Sequence, residues 1–180
     1  MISWRTGALL LLVLAGLAVY AYVTRPGQGT PQPQAASFLA CPSIDMVVIR
    51  VEGGGRVTQV ERPTPRDPWR VTLPVAAPAD SDAVSYLESS VTAVKVLNTL
   101  SASSAPASDG LASPREILTC RVDDGRSYTL SVGNPSFDGS GYYARRSGDG
   151  RVYVISSVEV DAFDRALAEP PVKPSPNPPT

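Results

Sequence analysis

The sequence predicts an α+β domain: a mainly antiparallel sheet of about seven strands, one long packed helix and a short C-terminal helix, placed after an N-terminal transmembrane helix. Three observations predict it. Short runs of alternating apolar and polar residues are joined by glycine-containing turns, the mark of hairpins. One apolar stripe, from Val84 onward, recurs at helical spacing. Nineteen uncharged residues, Thr6 to Thr24, lie between Arg5 and Arg25.

That uncharged run comes first. As a helix it reaches roughly 28 Å, close to the roughly 30 Å of a bilayer's hydrocarbon core. A cleaved signal peptide is the rival reading, but Val19-Tyr20-Ala21 is a poor cleavage site. Tyr20 and Tyr22 suit a membrane–water interface instead. Phe38-Leu39-Ala40-Cys41 faintly resembles a lipid-attachment box, yet lies too far beyond the apolar run. Residues 1–5 are therefore expected in the cytoplasm, 6–24 as an uncleaved signal-anchor, and the rest outside the cell membrane. The charge bias behind this orientation is about one charge.

Residues 25–40 form a linker rich in Pro, Gly and Gln, a spacer that lifts the domain off the membrane. The folded domain is expected over 41–168. Between Cys41 and Glu169 there are 13 Lys+Arg against 17 Asp+Glu, a net of −4. Such an acidic balance excludes nucleic acid as a partner. Histidine is absent from the chain, which removes the commonest general base and zinc ligand. No cofactor and no metal is expected.

Met46 to Glu52 is a β-branched strand, and Gly53-Gly54-Gly55 turns it into a second strand, Arg56 to Arg62. No Gly-Lys-Ser/Thr follows the glycines, so they are not a phosphate loop. Trp69, Val71 and Leu73 alternate with polar residues as a half-buried strand. Asp80 or Ser81 caps a helix whose stripe, Val84, Leu87, Val91, Val94 and Leu97, is expected to continue to about Leu100. Ser101 to Ser108 reads as a loop. Glu116–Val122 and Ser127–Val132 form a hairpin across Asp124-Gly125, and Tyr142–Arg145 and Val152–Ser156 another. Val158 to Leu167 closes the domain with a short helix. Residues 169–180, with six prolines, are expected to be a disordered tail of polyproline II character.

Cys41 and Cys120 are the only cysteines. An oxidising compartment would let them form a disulfide; two buried free thiols are the alternative.

Candidate chemistry is thin. Asp123-Asp124 and Asp80/Asp82 pair carboxylates, but at a turn and a helix cap. Ser85, Ser89, Ser90 and Ser101 have no His partner, and Lys95 is the domain's sole lysine, so a nucleophilic hydrolase is disfavoured. The aromatic–basic cluster of Tyr142, Tyr143, Arg145 and Arg146 is the candidate interaction surface. Alternation sends Tyr142 and Ala144 to one face, Tyr143 and Arg145 to the other. One core tyrosine beside a half-exposed strand face is the competing reading.

From Ile44 to Leu167 the chain resembles the DUF4340 family, a bacterial domain family of unknown function. The landmarks are Trp69 with Pro74, Ala79-Asp80-Ser81, Gly110-Leu111 with Pro114-Arg115, Asp124-Gly125 with Tyr128, Leu130 and Gly133, then Gly141 to Arg145 and Val152 to Ile155. The resemblance implies an N-terminal anchor with one or two domain copies outside the membrane, in some members beside ABC-type transport or gliding-motility complexes. It implies no catalytic residue. The expected function is a single-pass, non-enzymatic binding or scaffolding module of the cell envelope, its partners the membrane and an envelope protein; an accessory transporter subunit is the alternative.

Overall fold

Alternation of β-branched and polar residues along the chain folds into nine strands and two helices in a computed structural model that describes residues 38–101 and 107–174. The expected anchor, most of the expected linker, residues 102–106 of the expected loop and residues 175–180 lie outside the described residues. Among the described residues no helix is long and apolar enough to cross a membrane.

The strands are β1 (Met46–Gly53), β2 (Arg56–Glu61), β3 (Arg70–Leu73), β4 (Ala77–Pro78), β5 (Val96–Leu100), β6 (Glu116–Val122), β7 (Ser127–Pro135), β8 (Gly141–Arg146) and β9 (Val152–Ser156). The helices are α1 (Ser81–Thr92) and α2 (Ser157–Ala168). One sheet takes the order β4-β3-β2-β1-β6-β7-β8-β9-β5, and every pairing is antiparallel. The α+β class with a mainly antiparallel sheet stands as read from the sequence.

Turn chemistry sets the hairpins. Gly53 pairs with Arg56, so the β1–β2 loop is Gly54-Gly55, both at positive φ (56° and 74°). Two consecutive left-handed residues make the tight turn whose twist matches the strands, and glycine adopts it without strain.

The strand count differs from the expected seven, and the main reason is the end of α1. Asp80 caps it as expected, its carboxylate accepting from the Asp82 and Ala83 N–H groups at 3.0 and 2.9 Å. The helix stops at Thr92, however, and does not run to Leu100. Ser89, Ser90 and Thr92 all donate back to carbonyls four residues earlier, which loosens the last turn. Val94, Val96 and Thr99 then favour strand, and β9 offers a free edge, so β5 pairs there. Val94 and Leu97 share the helical spacing by coincidence, and Leu97 ends 41% exposed. β4, only two residues long, has no pattern to detect.

Both helices pack on one face of the sheet. Val84, Leu87 and Val91 of α1 and Val160, Phe163, Ala166 and Leu167 of α2 join Ile49, Val51, Val60, Leu118 and Leu130 in the main core. A small second cluster, Leu111, Tyr143, Val152 and Val154, covers part of the opposite face. Gly133 permits it: a Cβ there would strike the Asp109 carbonyl oxygen, so only glycine lets the Ala107–Leu111 stretch cross β7.

Residues 170–173, expected as the start of a solvated tail, instead line the β4 edge. Val172 bridges Ala79, Asp80 N–H donates to Pro171 O (2.9 Å), and Lys173 N–H donates to Pro78 O (2.9 Å). Backbone partners along that edge outweigh the prolines' lack of donors.

Candidate functional site

β1 ends and β6 begins at the same place, since Gly53 pairs with Glu116. A Cβ on Gly53 would lie 2.7 Å from Arg115 O and 2.8 Å from Glu116 Cγ, so the glycine is what lets the second strand come so near. Glu116 is thereby pressed inward, in phase with Leu118 and Cys120, and its side chain is only 2% exposed. Burying a carboxyl demands partners. Arg115 supplies one, donating from Nε to Glu116 Oε1 at 3.1 Å. From Nη2 it also donates to both oxygens of Asp164 on α2, at 2.9 and 2.7 Å, while its guanidinium lies 5.0 Å above the Tyr142 ring. Glu116 Oε2 is buried and meets no donor, but the protonated carboxyl can itself hydrogen-bond to the Asp164 carboxylate. Burial first, then the neighbouring Asp164 carboxylate, push the Glu116 carboxyl from 4.5 up to about 8, against the opposing pull of Arg115. Beside this cluster opens a cleft of about 350 Å³, bounded also by Gly54, Arg56 and Leu167.

Three fasteners hold the first residues of the domain. Cys41 and Cys120 form a disulfide that joins residues 79 apart, with Cα atoms 6.5 Å apart. Arg146 donates to Phe38 O at 2.9 Å, and Phe38 packs edge-on to Tyr153 at 4.7 Å. Arg62 donates to Met46 O (2.7 Å) and Ser43 O (3.0 Å), with its guanidinium 4.4 Å above Trp69. Trp69 Nε1–H is buried and meets no acceptor in hydrogen-bond geometry, although it leans favourably on Glu88. Asp149 orients Arg146 at 3.0 Å while also accepting from Arg151 and Tyr153. Those hydrogen bonds, from Arg151 foremost, hold its carboxyl well below the usual range.

The residues proposed from sequence as one surface separate here. Tyr143 is 8% exposed, packed in the second cluster, and its hydroxyl accepts from Phe137 N–H at 3.3 Å. Arg145 is exposed on that same sheet face. Arg146 belongs to the other face, with Phe38 and Asp149. Asp80 is the helix cap, and Asp124 pairs with Arg126 in its turn. Among the described residues no group of three His, Cys, Asp or Glu is disposed to hold a metal.

Sequence reasoning missed two features. Glu116 was readable: in EILTCRV it shares phase with Leu118, Cys120 and Val122, so an inward charge was there to see. Phe137 had no such signal. It is fully exposed between β7 and β8, on a loop tied by Asp138, which accepts from the Ser136 and Ser140 hydroxyls at 2.7 and 2.8 Å. These bonds draw the Asp138 carboxyl down to about 2.

A family model described as Domain of unknown function (DUF4340) matches residues 69–169. No curated protein and no solved structure matches the chain. The match runs from Trp69 before β3 through both hairpins to the end of α2, and it takes in the sequence landmarks: Asp80 caps α1, Gly110 turns at positive φ (76°), and Gly133 admits the crossing Ala107–Leu111 stretch. With more than half its length covered, the chain belongs to the DUF4340 family.

Proposed function

We propose that the protein is a single-pass, membrane-anchored docking module of the cell envelope, working by binding a protein partner outside the membrane and without catalysing a reaction. The observation that carries this reading is Phe137, a fully exposed aromatic on a braced loop. An aromatic held out by a rigid support is the form of an interface anchor, because little side-chain or loop entropy remains to be lost on binding. Two further apolar side chains are exposed on segments that meet Gly141, four residues after Phe137. Leu97, 41% exposed, reaches within 3.3 Å of the Gly141 Cβ position, and Val158, 62% exposed, follows Ser156, the strand partner of Gly141.

Anchor and spacer fit the same reading. Thr6–Thr24 would hold the chain in the bilayer, and the linker would let the domain sample its surroundings within a few tens of ångström. The fasteners on Phe38, Cys41 and Ser43 mean that such swivelling ends where the domain begins.

Photocrosslinking in native membranes tests the proposal. A photoreactive side chain at position 137 of the full-length chain should give one dominant protein adduct, absent when the probe sits at exposed Arg66. Equal labelling from both positions, or none from 137, would refute the docking role.

A further inference from the structure

Both helices cover one face of the sheet, and among the described residues the other face is uncovered across β3, β2, β1 and β6. Register decides which side chains stand on it. Arg70 pairs with Glu61, Glu61 with Val48 and Val48 with Arg121, so these four share that face. Arg50 and Glu52 of β1 lie on it too, and the row from Glu52 continues through Ile117 and Ser131 to Arg145. Arg50 is engaged by Glu52 at 2.9 Å. Arg70, Arg121 and Arg145 are exposed, and none makes an ion pair or side-chain hydrogen bond with the described residues. A solvated sheet face is usually polar, but three guanidiniums without a counter-ion go beyond that.

The helix layer carries the opposite sign. Residues 80–92 and 157–169 hold seven carboxylates against one arginine, Arg165. Two are matched from outside the layer, Glu88 by Arg62 and Asp164 by Arg115. Asp82, Asp161 and Glu169 are exposed and make no ion pair with the described residues. A basic sheet face and an acidic helix layer therefore lie on opposite sides of one domain. Val57 and Ile117, half-buried on the sheet face, give apolar footing between the charges, and Tyr86 on α1, 45% exposed, gives the helix layer an aromatic to set against them. Seating one on the other would place helices on both faces of the sheet, a common stable layering.

We infer that the domain stacks on copies of itself, the open sheet face of one against the helix layer of the next. The two surfaces are different and lie on opposite sides, so the contact cannot close as a two-fold dimer and instead repeats along a row. Each exposed ion pair contributes little alone, so the contact needs several together and weakens as salt rises. Neither surface includes Phe137, so the stacking stands or falls independently of the docking role.

Sedimentation velocity of the full-length chain in non-ionic detergent tests this. At about 0.05 M salt the sedimentation coefficient should climb with concentration past that of a dimer, and at about 0.5 M salt it should fall to that of one copy. One variant carries Arg70→Glu, Arg121→Glu and Arg145→Glu; a second carries Asp82→Arg, Asp161→Arg and Glu169→Arg. All six side chains are exposed and unpaired among the described residues, so the exchanges leave the fold in place. Either variant alone should associate at least about tenfold more weakly than the parent, because its two surfaces no longer differ in sign. An equimolar mixture should regain association to within about threefold, since each contact between unlike variants again joins opposite charges. A parent that stays monomeric in low salt, including one whose sheet face binds poly-glutamate or anionic lipid micelles instead, would overturn the inference. So would growth that stops at a dimer, or a mixture that fails to restore association.

Discussion

Replacing Glu116 by Gln should make the domain more stable at pH 8 and above, a gain that vanishes near pH 4.5. The carboxyl titrates at about 8 in the folded protein and at 4.5 in an ordinary setting. The folded state therefore holds this proton more tightly than the unfolded state. Stability is intact below about pH 4.5, is lost progressively as pH rises from there to about 8, and is flat beyond. At about 1.4 kcal/mol per pH unit, the interval between those two values caps the loss at about 5 kcal/mol. The realised loss should be smaller, about 2–3 kcal/mol, because Arg115 is 36% exposed and water can relax around the pair. Gln keeps the size and the acceptor for Arg115 Nε but cannot ionise. Urea midpoints of parent and variant, taken at constant slope from pH 5 to pH 9, should diverge as pH rises. Parallel curves, or a variant that is less stable throughout, would refute the reasoning.

Other outcomes follow from the same structure. Phe163→Ala empties the largest fully buried side chain and should cost about 3–5 kcal/mol by urea denaturation, unlike Val158→Ala on the exposed side of α2. Replacing Cys41 and Cys120 together by Ala should cost up to about 4.5 kcal/mol, the chain-entropy limit for a closure of 79 residues, read as a lower urea midpoint that reducing agent no longer changes. Gly133→Ala should lower the melting temperature far more than Gly139→Ala, because its methyl group meets the Asp109 backbone whereas position 139 faces open space and bears only left-handed strain.

Much of this fold was legible, and each miss has a physical cause. Hairpins were readable because Gly54, Gly55 and Gly125 sit at positive φ, a backbone conformation that few residues accept. The cap at Asp80 was readable because a helix start must satisfy free N–H groups locally. The end of α1 was not, because Val94 and Leu97 fit a helical stripe and only the vacant edge of β9 drew the chain into β5. Edge pairing is a tertiary event that local periodicity does not carry. The nearness of Cys41 to Cys120 likewise depends on where Phe38–Cys41 docks. Tyr143 and Arg145 do share one face of β8, as alternation predicts, but Tyr143 is buried there and Arg146 lies across the sheet with Phe38. Glu116 was available as an inward-facing charge, whereas its meeting with Asp164 required knowing that α2 packs over β1 and β2.

The proposal that the domain is anchored and faces outward is tested most directly by protease protection of the full-length chain in sealed membranes of known orientation. In cells with permeabilised outer layers, protease should cut the spacer of residues 25–37 and release an intact folded domain, while inside-out vesicles should protect it. Cleavage in the opposite orientation, or recovery of the chain in the soluble fraction before any protease is added, would contradict the account.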